Sequence, residues 1–288
     1  MKETFGQKTR RSHKRNQRVV MFWCAFVFAF VIAGVWLFRG TLFQNDSGAS
    51  SSGTNQSRHD ACGTADSRQK STDVTQAPMD HEVCQKLQDL VSQDQRVQQV
   101  IDNCEIYPED ILKMLSRNLD MLNFVLEYPE KVGQVFAETV GEVEGGEVPL
   151  LLQYDQRWGY GDYGNSSVAV SGCGPACLSM VITSLTGDDT ITPYVVAQYA
   201  SEQGYYVPGA GTAWTLMSEG AKHFGVIGEE LPLTKSIMEG VLKEGRPIIC
   251  SMRPGDFTTT GHFIVITGIK DGQFTVNDPN STEQIGRA

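Results

Sequence analysis

The chain has 288 residues, of which 40% are hydrophobic and 20% charged, an ordinary composition for a globular protein with room for one or two domains. The formal net charge is −10, and residues 1–18 hold seven basic residues against one acid, so the remainder is more acidic still. A chain whose bulk is acidic disfavours a nucleic-acid partner.

The first predicted element is a membrane span. Residues 19–38 form an uncharged run that, as a helix rising about 1.5 Å per residue, matches a bilayer core of about 30 Å. A cleaved signal peptide is the alternative, although its apolar region is usually only about 7–15 residues long. The positive-inside rule then predicts residues 1–18 as a cytoplasmic basic tail. The expected localisation is a single-pass membrane protein with an extracytoplasmic C-terminal domain.

Two regions are predicted between this span and the C-terminal part. Residues 39–78 are rich in Ser, Gly, Thr, Gln and Asp, which predicts a flexible stalk. Apolar residues return at helical spacing over residues 79–140 and predict a small helical region. Pro108 indicates a helix start, and Tyr128-Pro129 is expected to end one helix and begin another. A spacer or a cover for the next domain is the expected role, with an independent binding module as the alternative.

A Gly-rich acidic joint at residues 141–148 precedes the last predicted domain, residues 147–288. The patterns there predict helices at residues 174–185, 193–202, 213–224 and 235–243. Strands are predicted at residues 247–252, 262–267 and 273–277. A helix-rich half followed by an antiparallel strand-rich half is an α+β plan.

A cysteine between two glycines, Cys173, stands where the first of these helices begins. Pro175 suits a first helical turn, so Cys173 is expected at the N-terminal end, where free N–H groups and the helix dipole favour a thiolate. The flanking glycines are expected to let a substrate carbonyl approach, and the same N–H groups to stabilise an oxyanion. Cys177, one turn further on, is expected to be a buried packing thiol.

His262 is the expected general base, because it opens a strand from which it can project into a cleft. The other histidine of the domain, His223, ends a helix beside a lysine and is expected to be exposed. The imidazole needs a residue to orient it, for which Asp278 is the first candidate and Asn277 the second.

The register between His262 and Asp278 requires an irregularity. A simple two-residue turn at Asp271-Gly272 would set His262 opposite residue 281. A longer turn or a β-bulge at Gly268 is therefore expected.

These residues resemble the papain-like cysteine peptidases related to the bacteriocin leader peptidases that cut after a double glycine. The resemblance implies a papain-like fold, with Cys173 as nucleophile, His262 as general base, Asp278 as orienter and Gln153 as candidate oxyanion donor. In the leader peptidases that Gln lies six residues before the Cys, a position that Ser167 occupies here, so a structural role for Gln153 is the alternative. The motifs that carry the resemblance are Val148-Pro149-Leu150-Leu151-Leu152-Gln153, Gly172-Cys173-Gly174-Pro175, Gly261-His262-Phe263 and Asn277-Asp278-Pro279.

The resulting hypothesis is a membrane-anchored cysteine peptidase that cleaves a peptide or amide bond through a thioester intermediate. A peptide or a cell-wall peptide is the expected substrate. No cofactor or metal is expected, because no pair of cysteines or histidines has the spacing of a structural zinc site. A catalytically inactive papain-fold binding module tethered to the membrane is the alternative.

Three points stay open. The sequence decides neither the pairing of Cys62, Cys84 and Cys104 nor the oligomeric state. Similar proteins usually continue beyond the Asp-Pro motif, so the end is expected either to be truncated or to close the fold without that segment.

Overall fold

The computed structural model describes residues 18–22, 80–255, 258 and 260–282. The helices are α1 (His81–Val91), α2 (Val97–Asp102), α3 (Glu109–Leu115), α4 (Leu122–Lys131), α5 (Val168–Ser171), α6 (Cys173–Thr186), α7 (Pro193–Glu202), α8 (Thr215–Ser218) and α9 (Lys235–Lys243), with 3₁₀ turns at Cys104–Ile106, Leu119–Met121 and Gly220–Phe224. The strands are β1 (Arg18–Phe22), β2 (Asp162–Tyr163), β3 (Ser166–Ser167), β4 (Tyr206–Val207), β5 (Gly211–Thr212), β6 (Ile227–Leu231), β7 (Ile248–Met252), β8 (His262–Lys270) and β9 (Gln273–Asn277).

The main sheet has five strands in the order β6-β1-β7-β8-β9. Strands β7, β8 and β9 are antiparallel neighbours, whereas β1 runs parallel to both β6 and β7. Two short antiparallel pairs, β2 with β3 and β4 with β5, lie outside this sheet. Helices and sheet are thus combined, and the predicted α+β class is confirmed.

The first residues of the predicted membrane span form a strand and not a helix. The sequence Arg-Val-Val-Met-Phe at residues 18–22 forms β1, and its β-branched and aromatic residue types are those that favour strands. Within the part of the chain that the structure describes, every helix is too short or too polar to cross a bilayer. The single-pass localisation that was predicted from this span is therefore wrong. The rest of the span, residues 1–17 and most of the predicted stalk lie outside the described residues.

Most elements of the C-terminal part have the predicted bounds within a residue or two, but the helix predicted at residues 213–224 is interrupted. It forms the short helix α8 and then the 3₁₀ turn at Gly220–Phe224. Gly220 lies where the two meet and packs closely, since a Cβ there would be 2.8 Å from Leu216 Cδ1. Glycine also weakens a continuous helix, and both effects favour the break.

Helix α6 is the centre of the main hydrophobic core. Every residue from Gly174 to Leu185 is buried, as expected for a helix that is apolar on all sides. It packs against α7 on one side and strand β8 on the other. The first residue of this helix, Cys173, is thereby held at a fixed position next to the sheet.

The helical region has the expected start at Pro108, which is the N-cap of α3. The expected break at Tyr128-Pro129 is wrong, because Pro129 lies inside α4. The last turn of that helix is kept by the Val132 N–H, which donates to the Tyr128 carbonyl at 3.0 Å, and by the Lys131–Glu127 ion pair at 2.5 Å. Pro129 therefore costs the helix a donor without ending it.

The helical region and the C-terminal part share a second hydrophobic cluster and lie in one compact unit. The ring of Phe124 in α4 stacks on Tyr160, with centroids 4.3 Å apart and planes 12° apart. A backbone hydrogen bond joins the same two parts, because the Gly133 N–H donates to the Tyr160 carbonyl at 2.8 Å. The predicted boundary at residues 141–148 stays a prediction, but the residues on its two sides pack together.

Candidate active site

Cys173 is the first residue of α6, directly after the N-cap residue Gly172. Its side chain is partly buried. The first N–H groups of an α-helix have no partner within the helix, and the dipole makes this end partly positive. The predicted position of Cys173 at the N-terminal end of a helix is confirmed.

The two glycines beside Cys173 are required by packing within the chain. A Cβ at Gly172 would lie 2.3 Å from the Val168 carbonyl oxygen, and one at Gly174 would lie 2.7 Å from Thr212 Cβ. Contacts this short exclude any side chain unless the backbone moves. The sequence interpretation, in which these glycines admit a substrate carbonyl, did not include this packing.

The wall next to Cys173 contains a buried hydroxyl pair. The Tyr163 hydroxyl and the Thr212 Oγ1 are 2.8 Å apart, and both residues are buried. Burial raises the pKa of Tyr163, the hydrogen bond to Thr212 opposes this, and nearby Cys173 adds to the rise. Tyr163 is therefore a neutral phenol close to the thiol.

His262 opens β8 and brings its ring between the thiol and a carboxylate. Its Nε2 lies 2.7 Å from Asp278 Oδ1, with only 9% and 7% of the two side chains exposed. The Cys173 side chain lies close enough to the ring to raise its pKa. Since Nε2 is engaged by Asp278, Nδ1 is the nitrogen left for the sulfur. The structure thus brings Cys173, His262 and Asp278 together, while their catalytic roles stay a prediction.

The pKa of His262 is set by opposing effects. Burial of the ring lowers this pKa, whereas the hydrogen bond to Asp278, the nearby Cys173 side chain and the negative charges of both groups raise it, to about 10 from the ordinary 6.5. The imidazolium form is therefore present at neutral pH. A cationic ring can pair with a thiolate on one side and with the carboxylate on the other.

A bulge between β8 and β9 accounts for one residue of the three-residue difference between position 281 and Asp278. Ile266 pairs with Val276, but Gly268 pairs with Thr275, so the register shifts by one residue at the predicted position. Asp278 follows β9 and is buried. The second candidate orienter, Asn277, points elsewhere, because its Nδ2 donates to the Val148 carbonyl at 2.9 Å.

Gln153 is buried, and its side chain contacts Ala169, which precedes Cys173 by four residues. Its Nε2 donates to the Ala169 carbonyl at 2.5 Å, which fixes the amide orientation, since an oxygen so close to another oxygen would be repelled. Its Oε1 has no hydrogen-bond partner among the described residues. Ser167 is also buried, with its hydroxyl unpaired within the described part of the chain. The oxyanion role of Gln153 stays a prediction.

The structure also shows the surroundings of His223 and of three other cysteines. Cys177 is fully buried, and burial raises its pKa well above the ordinary value, as expected of a packing thiol. His223 is exposed and stacks on Tyr199 at 4.2 Å between centroids. Cys84 and Cys104 are free thiols, and Cys62 lies outside the described residues.

Sequence reasoning missed Tyr163 and Thr212, which lie against the start of α6. Neither stands in a motif. Thr212 follows Gly211, whose positive φ of 79° marks a tight turn in the hairpin of β4 and β5. This turn signal could have indicated the hairpin, but its contact with Gly174 depends on the tertiary fold.

One comparison with known proteins found a matching family. The model of the Peptidase_C39 like family matches residues 146–287, which include Gln153, Cys173, His262 and Asp278. Neither the curated proteins nor the solved structures gave a match. The chain therefore belongs, through residues 146–287, to the Peptidase_C39 like family.

Proposed function

We propose that the C-terminal part of this chain is a papain-like cysteine hydrolase that cleaves a peptide or amide bond. The observation that carries the proposal is the position of one buried imidazole, 2.7 Å from Asp278 and close enough to Cys173 for that side chain to raise its pKa. A nucleophile, a base and an orienting group brought together in this way are the arrangement that nucleophilic catalysis needs. Membership of a peptidase-like family supports the same chemistry.

The proposed reaction begins with a Cys173 thiolate paired with the His262 imidazolium. The sulfur attacks the scissile carbonyl carbon, and Nδ1 of His262 gives its proton to the leaving amine, which leaves a thioester on Cys173. Water then attacks the thioester, with His262 taking a proton from it, and the acid product and free thiolate are released. Asp278 holds the ring through Nε2 and stabilises its charged form throughout.

The oxyanion of each tetrahedral intermediate requires hydrogen-bond donors close to the sulfur. The first backbone N–H groups of α6 are suitable, because they lie at the residue that attacks and have no partner within the helix. Gln153 is the proposed side-chain donor, since its amide carries a second N–H besides the one bonded to Ala169. The substrate class we propose is a peptide, including the peptides of a cell wall.

Thiol labelling tests this proposal. Cys173 should react with iodoacetamide at pH 6.5 at least about 10-fold faster than Cys84, because the helix start and the imidazolium favour its thiolate. Cys173→Ala should remove the fast labelling and the hydrolysis of a mixed peptide library. Cys84→Ala is the matched control and should retain both.

Two results would count against the hydrolase. Fast labelling that persists in Cys173→Ala and maps to Cys250 would assign the reactive thiol elsewhere. A Cys173 that labels no faster than Cys84, in a chain without hydrolytic activity, would favour the alternative, a papain-fold module that binds without cleaving.

A further inference from the structure

We propose that Asn118, in the helical region, is a positioning residue for Asp278, so that this region is part of the catalytic apparatus. This inference rests on the proposed function, because Asp278 is the residue that orients His262 there. It replaces the expectation of a spacer or a cover with a specific structural task. The contacts that carry it join the 3₁₀ turn at Leu119–Met121 to the turn after β9.

The carboxylate of Asp278 is fixed by its own turn. The oxygen that contacts His262, Oδ1, also accepts the Asn280 N–H at 2.8 Å. The Ser281 N–H closes the turn on the Asp278 carbonyl at 3.1 Å. Because one oxygen serves both the ring and the turn backbone, a movement of Asn280 displaces the atom that holds the imidazole.

Asn118 holds this turn from the helical region. Its Nδ2 donates to the Asn280 carbonyl at 2.8 Å, and the contact is partly buried. Its Oδ1 accepts the Asp120 N–H at 3.0 Å, as the N-cap of the 3₁₀ turn. Its backbone N–H donates to the Met114 carbonyl at 3.0 Å. The side chain is thus fixed at both polar atoms and at its backbone.

Two more contacts make this connection rigid. The Thr282 hydroxyl donates to the Asp120 carboxylate, a second link between the same two turns. From the side of the catalytic domain, the Gln153 N–H donates to the Pro279 carbonyl at 2.8 Å. Pro279 is therefore held by Gln153, and Asn280 and Thr282 are held by the helical region.

The groups that face His262 directly are Cys173 and Asp278. Asp120 is a charged residue that the helical region brings to the turn, through its bond to Thr282. Loss of the Asn118 contact is therefore expected to act on the ring through the position of Asp278. A weaker Nε2 contact would stabilise the imidazolium less and misplace the ring for proton transfer.

Two substitutions in the full-length chain separate positioning from folding. Asn118→Ser keeps an N-cap oxygen for the Asp120 N–H but is too short to donate to Asn280. Asn118→Ala removes both functions. Asn123→Ala is the matched control, since the exposed Asn123 only accepts from Arg96 at 2.8 Å and lies away from the turn.

We expect Asn118→Ser to lower kcat about 10-fold with little change in KM, because the loss concerns orientation of the base in the transition state. The NMR titration midpoint of His262, identified by its absence in His262→Gln, should fall relative to the unsubstituted chain. Asn118→Ala should show the same kinetic defect and a lower Tm, and Asn123→Ala neither defect.

The outcomes distinguish this inference from the proposed function. If the unsubstituted chain neither hydrolyses peptides nor labels rapidly, the hydrolase fails, but the His262 titration still decides whether Asn118 positions Asp278. If kcat and the His262 midpoint of Asn118→Ser equal those of the unsubstituted chain, and only Tm falls, the inference is overturned and Asn118 merely stabilises the fold.

Discussion

The imidazole of His262 has a different partner at each of its nitrogens. Asp278 lies at Nε2, and this leaves Nδ1 for the Cys173 sulfur. A carboxylate at Nε2 keeps a proton there. On the proposed chemistry, Nδ1 is therefore the nitrogen that exchanges a proton with the thiol.

The raised pKa of His262 predicts a pH-dependent stability. Because the pKa in the fold, about 10, exceeds the ordinary 6.5, the protonated ring stabilises the folded state fully below pH 6.5, and this is lost as the pH rises to 10. The free energy of unfolding should fall across this window by at most about 1.4 kcal/mol per pH unit from this group. Urea unfolding at pH 6, 8 and 10 measures it.

His262→Gln is the control for this titration, since Gln keeps a polar side chain without a proton to lose. The difference in unfolding free energy between the two chains should shrink as the pH rises. A difference that stays constant from pH 6 to 10 would show that His262 titrates with its ordinary pKa.

Single residues differ in how far the sequence could predict them. Cys173, His262 and Asp278 were identifiable because a helix start, a strand start and a strand end each leave a local pattern. Asn118 is followed by a pattern typical of a helix cap, but its partner is 162 residues away. No local pattern specifies such a partner, because it is set by tertiary packing.

At the scale of elements, the start of α6 and the hairpin of β4 and β5 fit each other closely. Gly174 lies against Thr212, whose hydroxyl contacts buried Tyr163. The hairpin therefore limits where α6, and with it Cys173, can begin. A change in this contact should affect both stability and the position of the sulfur.

Gly174→Ala tests this fit. Its Cβ would lie 2.7 Å from Thr212 Cβ, so the backbone must shift, and we expect the free energy of unfolding to fall by about 1–3 kcal/mol. The labelling rate of Cys173 should fall with it. Chemical denaturation and iodoacetamide kinetics measure the two effects.

Gly240→Ala is the matched control, because Gly240 lies inside α9 with no atom within 4 Å of its added Cβ. It should be stabilising by about 0.5–1 kcal/mol, since alanine favours a helix more than glycine does. Equal stability of Gly174→Ala and the unsubstituted chain would mean that the contact with Thr212 adapts without cost.

Elements were predictable where the pattern was strongly periodic. Helices α7 and α9 and strand β9 have the predicted bounds, and the bulge at Gly268 followed from counting residues around the turn. The helix predicted at residues 213–224 was wrong because tertiary packing at Gly220 overrides helical spacing. The span predicted at residues 19–38 was wrong at its start because apolar, β-branched residues suit a strand as well as a membrane helix.

At the scale of the whole molecule, the helical region and the C-terminal part share a core. Phe124 is buried and stacks on Tyr160, whose hydroxyl donates to the Phe124 carbonyl at 3.2 Å. A shared core of this kind couples the unfolding of the two parts. Sequence reasoning treated them as separate because the joint at residues 141–148 has the composition of a linker.

Phe124→Ala tests this coupling. Truncation of a buried aromatic ring should lower the free energy of unfolding by about 3–5 kcal/mol. If the two parts unfold together, hydrogen exchange should speed up in strand β8 as well as in α4. Hydrogen–deuterium exchange resolved by peptide measures both elements in one experiment.

Ile106→Ala is the control within the helical region, since Ile106 is 52% exposed. Exposed substitutions usually change stability by only about 0.5 kcal/mol. Faster exchange in α4 of Phe124→Ala with unchanged exchange in β8 would show that the catalytic domain is stable without the helical region.

The Asn118–Asn280 hydrogen bond joins residues 162 positions apart in the sequence, so it forms late in biosynthesis. The N-terminal end of a chain emerges first from the ribosome, so Cys173 leaves the exit tunnel well before Asp278. Until β9 and the turn beyond it emerge, the thiol lacks both its carboxylate partner and the contact from Asn118. On the proposed chemistry, a nascent chain is therefore unable to cut itself or its neighbours while it is being made.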